Sequence, residues 1–172
     1  MEGERKDDQL DLVDLLSHVC DELMAAWPGR QIELVTSSKL CVLGNAAELR
    51  SAISNLIVNA LKYSEAPVSV RWSNTVVGPE LLVEDQGPGI DPKHIPRLTE
   101  RFYRVDKSRS QATGGTGLGL AIVKHVAVSH DARLFIDSEL EKGSTFRLVF
   151  PNDRAVSCDV CSTERGRTDA SQ

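Results

Sequence analysis

The sequence predicts an α+β domain in which helices lie on one face of a mixed sheet. Segments with helical and with strand periodicity are mixed along the chain, and the last two strand segments are close enough to form a hairpin. With 172 residues, 41% of them hydrophobic, the chain can build one ordinary core but not two. We expect one domain over residues 10–151 and disordered, polar tails at 1–9 and 152–172.

The elements follow from hydrophobic spacing and from helix-breaking residues. Apolar residues recur at helical spacing over residues 10–27, until a Pro-Gly pair ends the pattern. QIELVT and KLCVLG then predict two short strands. The longest helix signal runs from Asn45 to about Ser64 and opens with Asn45 and Glu48 in a capping-box arrangement.

The second half of the chain continues the alternation. VSVRWSN and ELLVEDQ predict strands, and DPKHIPRLTERF predicts a short helix with Pro92 in its first turn. Residues 103–116 are polar, basic and rich in glycine at their end, which indicates a long loop. A helix is expected from near Gly117 to about His130, and RLFIDSE and STFRLVF then predict the hairpin.

The overall charge argues against two classes of partner. A formal net charge of −5 and an isoelectric point near 5.4 disfavour binding to nucleic acid through neutralised phosphates. No apolar run approaches the roughly 18 residues of a bilayer span, and MEGERKDDQL lacks the apolar stretch of a signal peptide. We therefore expect a soluble, cytoplasmic chain that contacts neither nucleic acid nor membrane.

The four cysteines are too few for a disulfide scaffold. Cys20 and Cys41 lie in apolar patterns, where a buried thiol acts as a small hydrophobic side chain. Cys158 and Cys161 form a lone CxxC in the polar tail. Because a zinc site requires about four ligands, we favour a disordered tail over a metal site there.

The predicted helix over residues 45–64 carries two stripes. Its apolar stripe is formed by Leu49, Ile53, Leu56 and Ala60. Its polar stripe contains Glu48, Asn55, Asn59 and Lys62, with Tyr63 at its edge. Two asparagine oxygens one turn apart suit Mg²⁺, which prefers oxygen ligands, and a lysine beyond them would meet phosphates. Taken alone, this stripe would be better explained as a solvated polar face.

Two glycine-containing segments accompany that helix. VEDQGPGI ends an apolar strand with Asp85, which can accept a hydrogen bond from an exocyclic amine, while Gly87 and Gly89 let a flat ring approach the backbone. GGTGLGLAIVKHV places four glycines before a helix, whose first N–H groups and dipole attract anions. Alone, the first segment is a common turn. The second fits neither GxxxxGK[ST] nor GxGxxG.

Taken together and in order, these segments resemble the ATP-binding catalytic domain of bacterial sensor histidine kinases, in the GHKL superfamily that also includes gyrase, Hsp90 and MutL. ELRSAISNLIVNALKYS resembles the N box, VEDQGPGI the G1 box, RLTERFYRVDKSRS the F box, GGTGLGLAIVKHV the G2 box and GSTFRLVF the final box. The resemblance covers residues 10–151. It implies the Bergerat fold, a two-layer α/β sandwich with a mixed, mostly antiparallel sheet, in which ATP lies between helices and sheet.

The resemblance also implies residue roles. Asn59 would coordinate Mg²⁺ with help from Asn55, Lys62 would contact phosphate, Tyr63 would line the adenine pocket, and Asp85 would bond the adenine amine. The other implied nucleotide-binding positions are Gly87, Gly89, Ile90, Phe102, Arg104, Gly115, Thr116, Gly117, Leu118, Gly119, Leu120 and Thr145.

Three of the implied positions carry specific expectations. Phe102 would be the apolar hinge plug of a lid that also carries Arg104, and Thr145 would complete the adenine end. The final box departs from the family pattern, because Glu141 replaces its usual first glycine.

Asn55 distinguishes two mechanisms within the superfamily. Its ATPases carry a glutamate one turn before the magnesium asparagine to activate water, whereas this chain has Asn55. A neutral imidazole already has a nucleophilic lone pair, so attack on the γ-phosphate requires positioning and charge neutralisation more than a base. Asn55 therefore favours phosphoryl transfer to histidine over hydrolysis.

The resemblance implies that the acceptor lies elsewhere. None of the four histidines (His18, His94, His125 and His130) has the H-E-x-x-T/N-P context of the family's phosphoacceptor. The implied partners are therefore a separate dimerisation and phosphoacceptor domain and a response regulator receiver domain. The implied parent kinase can carry an anchor in the inner membrane that this chain lacks.

Two alternative functions remain open from the sequence. The first is a non-catalytic module whose docking depends on ATP, and the second is a serine kinase of the anti-sigma type on the same fold. Whatever its function, we expect this chain to bind ATP with micromolar or weaker affinity, about −8 kcal/mol or less favourable. The reason is that a glycine-rich lid loses conformational entropy when it closes.

Overall fold

The computed structural model describes residues 7–103 and 118–158. Its elements, in chain order, are β1 (Asp8–Asp11), α1 (Leu12–Ala26), β2 (Ile32–Thr36), β3 (Leu40–Gly44), α2 (Ala46–Tyr63), β4 (Val68–Asn74), β5 (Pro79–Asp85), a 3₁₀ turn (Ile95–Arg97), α3 (Gly119–Ser129), β6 (Arg133–Glu139), β7 (Gly143–Val149), a second 3₁₀ turn (Asn152–Arg154) and β8 (Ala155–Ser157). The three long helices and the strands β2 to β7 confirm the sequence predictions, with ends that differ by at most two residues.

Five strands form the main sheet in the order β2-β4-β5-β7-β6. β2 and β4 pair in parallel, and the other pairs are antiparallel. Alternate residues of β4 and β5 are buried and belong to the same core cluster as the apolar stripes of the three helices. This is the predicted two-layer arrangement, with a mixed, mostly antiparallel sheet.

Helix α2 lies at the centre of the helical layer, where it contacts α1, α3, β4 and β5. The Asn45 side chain caps it by accepting a hydrogen bond from the Glu48 N–H at 3.0 Å. The predicted apolar stripe is fully buried, so that truncation of Leu56 to Ala would cost about 2–5 kcal/mol. The polar stripe of α2 is thereby directed away from the core.

A second sheet, in the order β1-β3-β8, joins the two ends of the chain. The prediction of disordered tails is therefore wrong for residues 8–9, which lie in β1, and for residues 152–157, which form a 3₁₀ turn and β8. Low hydrophobicity suggested disorder, but backbone pairing with β3 and a disulfide between Cys41 and Cys158 hold β8 in place.

The disulfide also corrects the interpretation of Cys41 as a buried hydrophobic thiol, because Cys41 is covalently bonded across 117 residues of sequence. Cys20 does behave as predicted. It is a free thiol, 3% exposed, and burial, reinforced by the charge of Asp21, raises its pKa to about 11. Cys161 lies outside the described residues.

The short helix predicted from DPKHIPRLTERF is also wrong, since only a three-residue 3₁₀ turn forms. Pro96 has no N–H to donate to a carbonyl one α-helical turn earlier, so the segment cannot continue as a regular helix. Asp91 instead accepts a hydrogen bond from the Lys93 N–H at 3.0 Å, which makes a local turn. Within residues 7–103 and 118–158, no helix has the length and apolarity that a membrane crossing requires.

Candidate nucleotide-binding site

Three of the elements that the sequence singles out border one another in the structure. A Cβ atom added at Gly119, the first residue of α3, would lie 3.0 Å from Oδ1 of Asn55 on α2. A Cβ atom added at Gly87, in the turn after β5, would overlap the carbonyl oxygen of Tyr63 at the end of α2. The polar stripe of α2 therefore touches the start of α3 on one side and the turn after β5 on the other.

Asn55 is oriented by the helix that carries it. Its Nδ2 donates to the carbonyl of Ser51 at 2.8 Å, so that Oδ1 is the atom that faces Gly119. Asn59 lies one turn further along the same stripe, and both side chains are half-buried. Amide oxygens in this position can bind a hard cation that keeps water and phosphate oxygens as its other ligands.

Across the described ranges, no group of three or more histidine, cysteine, aspartate or glutamate side chains is arranged to hold a metal ion. The fit between the residues present and Mg²⁺ therefore depends on Asn55, Asn59 and the phosphates of the nucleotide. Only glycine at position 119 leaves the Asn55 oxygen accessible from the side of α3.

Lys62 and Tyr63 form the last turn of α2. Lys62 is half-buried and Tyr63 is 49% exposed. The turn closes with a hydrogen bond from the Ser64 N–H to the Ala60 carbonyl at 3.2 Å. The last turn of α2 thus brings the Tyr63 carbonyl against Gly87 in the turn after β5.

Asp85 is the buried acid of the site, with 4% of its surface exposed. Burial raises the pKa of its carboxyl group, although hydrogen bonds from the backbone N–H groups of Gly87, at 2.9 Å, and Ser144 act in the opposite direction. The neighbouring charge of Glu84 raises it further. A buried carboxylate with a perturbed pKa is often found at functional sites.

The turn after β5 is fixed by the hairpin of β6 and β7. Gly89 has φ of 74°, and a Cβ atom there would overlap the Glu139 carbonyl, so both conformation and space require glycine. The Ile90 N–H donates to Ser138 Oγ at 2.7 Å, and the Glu141 N–H donates to the Pro88 carbonyl at 2.7 Å. Glu141, which replaces the usual first glycine of the final box, adopts a left-handed backbone conformation with φ of 66°.

Three of the predicted site residues have apolar aliphatic side chains. Ile90 and Leu120 are half-buried and pack against the main core. Leu118, also half-buried, is the residue that precedes α3, and its carbonyl accepts from the Ile122 N–H at 3.0 Å. Such side chains can form the walls of a pocket for a flat ring.

The expectation for Thr145 is corrected by the register of β7. Thr145 pairs with Glu84 and Asp137, which are exposed, whereas Ser144 is 5% exposed and pairs with Asp85. Successive side chains on a strand point to opposite faces, so Ser144 lies on the side of the buried carboxylate and Thr145 on the outer face. Because Phe146 must face the core, strand alternation in STFRLVF was a signal that could have identified Ser144.

Ser144 is held in a small hydroxyl network. Its Oγ lies 2.8 Å from Ser138 Oγ, and Ser138 Oγ also donates to the Gly143 carbonyl at 3.0 Å. The network connects the turn after β5, through Ile90, to the strand that pairs with it. The sequence analysis missed both serines, because neither stands out by residue type.

Phe102 is 71% exposed and has a left-handed backbone, φ 65°, and its role as the hinge plug of a lid stays a prediction because residues 104–117 lie outside the described residues. The adjacent Tyr103 is the anchored residue. Its hydroxyl hydrogen-bonds with Nδ1 of His94, and the guanidinium of Arg97 lies 4.4 Å from the centre of its ring.

Four predicted site residues, Arg104, Gly115, Thr116 and Gly117, lie outside the described residues, as do Lys107 and Arg109. Their roles stay predictions. The described residues thus include those predicted to contact adenine and magnesium.

Comparison with known proteins places these residues within a matched region. Residues 44–154 match the family model described as histidine kinase-, DNA gyrase B-, and HSP90-like ATPase. The phosphate regulon sensor protein PhoR of Pseudomonas aeruginosa is 52% identical over 140 residues, 79% of this chain and 32% of that protein. The sensor-like histidine kinase SenX3 of Mycobacterium tuberculosis is 42% identical over 146 residues, 83% of this chain and 36% of that protein. The chain spans about a third of the length of these relatives.

Solved structures match over nearly the same region. The mycobacterial sensor histidine kinase MprB aligns with a TM-score of 0.74 and 29% identity, over 84% of this chain and 97% of the other. Full-length ShkA in complex with AMPPNP aligns with a TM-score of 0.73 and 30% identity, over 88% of this chain and 32% of the other. The second match is to a chain crystallised with an ATP analogue.

Proposed function

The chain belongs to the family of histidine kinase-, DNA gyrase B- and HSP90-like ATPases, and from this membership we propose that it binds Mg-ATP and transfers the γ-phosphoryl group to a histidine of a separate acceptor domain. It would thus be the catalytic part of a two-component sensor histidine kinase, with a dimerisation and phosphoacceptor domain and a response regulator as partners. The observation that carries the proposal is the contact of Gly119 with the Asn55 oxygen, because it joins the asparagine stripe to the start of α3.

Adenine recognition is assigned to the turn after β5. The buried carboxylate of Asp85 would accept a hydrogen bond from the exocyclic amine, and glycine at position 87 lets this turn pack against the Tyr63 carbonyl at the end of α2. Ile90, Leu120 and the ring of Tyr63 would supply apolar contacts to the base. A buried acceptor of this kind discriminates against bases that lack an amine at that position, because its lone pair would stay unpaired.

The phosphate end is assigned to α2 and to the start of α3. Asn55 and Asn59 would hold Mg²⁺, which when bound neutralises phosphate charge. Lys62 would add a positive charge, and the first N–H groups of α3 have no partners within the helix, so they can donate to phosphate oxygens. These groups orient the γ-phosphoryl group without a general base.

Asn55 supports transfer to histidine over hydrolysis. In the transfer, a neutral imidazole nitrogen would form a bond to the γ-phosphorus as the bond to the leaving oxygen of ADP breaks, and the other ring nitrogen would then release its proton. The lone pair of the imidazole makes an extracted proton unnecessary for attack. A water molecule would need a base, and an amide at position 55 is not one.

Transfer to an isolated acceptor tests the proposal. The chain is incubated with Mg²⁺, γ-labelled ATP and the acceptor hairpin of a phosphate-regulon sensor kinase, and the product is treated with acid. We expect label on the hairpin that acid removes, since phosphohistidine is acid-labile. An acid-stable product would indicate the serine kinase alternative, and ATP binding with no transfer would indicate the interaction module.

A matched pair of variants on α2 links that result to the site. Asn59→Ala should reduce transfer by at least about 100-fold, because it removes a magnesium ligand from the reaction. Arg50→Ala changes an exposed residue of the same helix that pairs with Glu22, and should leave transfer unchanged. Transfer by Asn59→Ala at the rate of Arg50→Ala would contradict the assignment.

A further inference from the structure

Arg30, in the connection between α1 and β2, lies beneath the last turn of α2. Its Nη1 donates to the carbonyl of Leu61 at 2.8 Å, and its Nη2 donates to the carbonyl of Ser64. The guanidinium thus spans the two residues between them, Lys62 and Tyr63. A helix leaves its last four carbonyls without partners inside the helix, and its C-terminus favours a cation.

Helix α2 needs this external partner because of how it ends. Many helices end in a left-handed glycine, whose turn satisfies the last carbonyls from within the chain. Here the C-terminal cap is Ser64, with extended backbone at φ −137° and ψ 137°. No such turn forms after Tyr63, and Arg30 takes over carbonyls that the turn would have satisfied.

The same turn is restrained from the opposite side by the proposed adenine pocket. The Tyr63 carbonyl packs against Gly87 so closely that a Cβ atom there would overlap it. Tyr63 therefore lies between two fixed points, the guanidinium of Arg30 and the turn that carries Asp85. A displacement of this turn would move the ring of Tyr63 and the ammonium of Lys62 together.

A contribution to stability does not by itself explain why a guanidinium group lies at this position. Among the described residues, neither Nε of Arg30 nor Oγ of Ser64 has a hydrogen-bond partner, although both atoms are buried. A buried donor without a partner destabilises the folded state. Departures from local rules of this kind are expected where a position serves function.

A cavity of about 440 Å³ lies beside this contact and includes the indole of Trp27. Its wall also contains Lys62, Tyr63 and Glu65. The end of α2 is therefore not packed from all sides, and its conformation depends on the hydrogen bonds of Arg30. Trp27 is close enough to this turn to report on it by fluorescence.

We propose that Arg30 is a positioning residue for the nucleotide site, which acts by fixing the last turn of α2 so that Tyr63 meets the adenine ring. The inference rests on the proposed function, because it concerns the same ATP site. Arg30 touches carbonyl oxygens of the protein and acts on the nucleotide through Tyr63.

The test measures Mg-ATP and Mg-ADP binding by calorimetry for the full chain and its variants. Arg30→Met should weaken both nucleotides by about 10-fold, since a small misplacement of a contact residue is enough for a loss of that size. Arg30→Lys keeps the charge and one donor and should recover part of the loss. Arg71→Met, a change of the same kind at an exposed position of β4, should bind as wild type does.

A double-mutant cycle separates positioning from general destabilisation. If Arg30 acts through Tyr63, Arg30→Met should cause no additional loss of affinity in a Tyr63→Ala background. In transfer assays, Arg30→Met should raise the KM for ATP more than it lowers kcat. Trp27 emission should change in Arg30→Met before nucleotide is added.

Three outcomes would overturn the inference. The first is wild-type affinity in Arg30→Met, and the second is an equal loss in the presence and absence of the Tyr63 ring. If Arg30→Met does not fold, Arg30→Lys supplies the same comparison, and wild-type affinity and KM in that variant would be the third. Failure of the wild-type chain to bind Mg-ATP would overturn the proposed function first, and it is seen before any variant is titrated.

Discussion

The two sheets of this molecule are held together in different ways. In the main sheet, buried apolar residues face each other across neighbouring strands, as Val70 and Val83 do, and they extend the core of the helices. The small sheet has strands of three to five residues, and long-range bonds secure it: the disulfide of Cys41 with Cys158, and the hydrogen bonds of Arg154.

The main sheet takes part in the proposed nucleotide site, whereas the small sheet holds the first and last described strands together. The proposed nucleotide site lies on α2, α3 and the strands of the main sheet. The small sheet gathers β1 and β8 on either side of β3. Changes in the small sheet should therefore alter stability and leave nucleotide binding intact, whereas changes at the site should do the reverse.

The largest effect on stability is expected from the disulfide. Cys158→Ala should lower the free energy of unfolding by about 2–4 kcal/mol, because the unfolded chain regains the freedom of a loop that spans 117 residues of sequence. Denaturant titration under non-reducing conditions measures this. ATP affinity should stay within about twofold of wild type.

Reduction of the wild-type chain provides the control for that variant. Added thiol should lower wild-type stability to about the level of Cys158→Ala and leave the variant unchanged. Equal stabilities of wild type and variant without thiol would mean that the small sheet is held by its backbone pairing alone. A large loss of ATP binding in the variant would show that the two sheets are coupled.

Asp85→Asn should weaken ATP binding without lowering stability, which is the opposite of the effect expected for Cys158→Ala. The variant loses a charged acceptor for the adenine amine, so ATP affinity should fall about tenfold, or about 1.4 kcal/mol. Its free energy of unfolding at pH 7 should equal or exceed that of wild type, because burial raises the pKa of Asp85 and makes its ionisation unfavourable in the folded state. Calorimetry and denaturant titration measure the two quantities.

The pH dependence of the stability difference between wild type and Asp85→Asn provides a second test. Because the folded pKa lies above the unfolded value of about 3.9, the contribution of Asp85 to stability is full below that pH and is lost as pH rises through the folded pKa. Any advantage of Asp85→Asn should therefore shrink as the pH falls towards 4. A growing advantage on acidification would contradict the direction of the shift.

A smaller effect is expected from Gly119→Ala. The added Cβ atom lies 3.0 Å from Oδ1 of Asn55 and must displace it, so Mg-ATP affinity should fall about threefold to fivefold, or about 1 kcal/mol. Stability should be unchanged or slightly higher, because alanine favours helix over glycine. In an Asn55→Ala background the same change should have no effect on affinity, and a loss there would mean that Gly119 serves the nucleotide directly.

The comparison of the two sheets also explains what the sequence could predict. Helix α2 was predicted nearly to the residue, because Asn45 caps it and its apolar stripe is continuous. Asp85 and Gly87 stand out for the same reason: strand pattern and turn chemistry are local signals. The contacts of Gly87 with Tyr63 and of Gly119 with Asn55 depend on packing, and only the family resemblance implied that these residues share one site.

The features that the sequence did not predict depend on signals that are not local. β8 and the Cys41 disulfide could not be predicted, because a polar strand of three residues has no periodicity and its partner lies more than a hundred residues earlier. Arg30 was missed because its function is to bond main-chain carbonyls, which any sequence has. Thr145 was chosen from the family resemblance, although the alternation of side chains along β7 places it on the outer face and places Ser144 beside Asp85.

The smallest predicted loss of stability concerns Arg154, which bonds to three acceptors that come from different parts of the chain. Its guanidinium donates to Asp7 at 2.9 Å, to the Leu43 carbonyl at 3.0 Å and to Asp131 at 3.0 Å. Arg154→Gln should lower the free energy of unfolding by about 1 kcal/mol, since charged partners near the surface are screened by solvent. Thermal unfolding at low and high salt measures it.

Arg133→Gln, at an exposed position of the edge strand β6, is the matched control and should change stability by less than about 0.5 kcal/mol. The loss in Arg154→Gln should be smaller at high salt, because part of it is electrostatic. Nucleotide affinity should not change in either variant. If Arg154→Gln weakened ATP binding, the hydrogen bond to Asp131, which follows α3 closely, would connect the small sheet to the site, and the separation between the two sheets would fail.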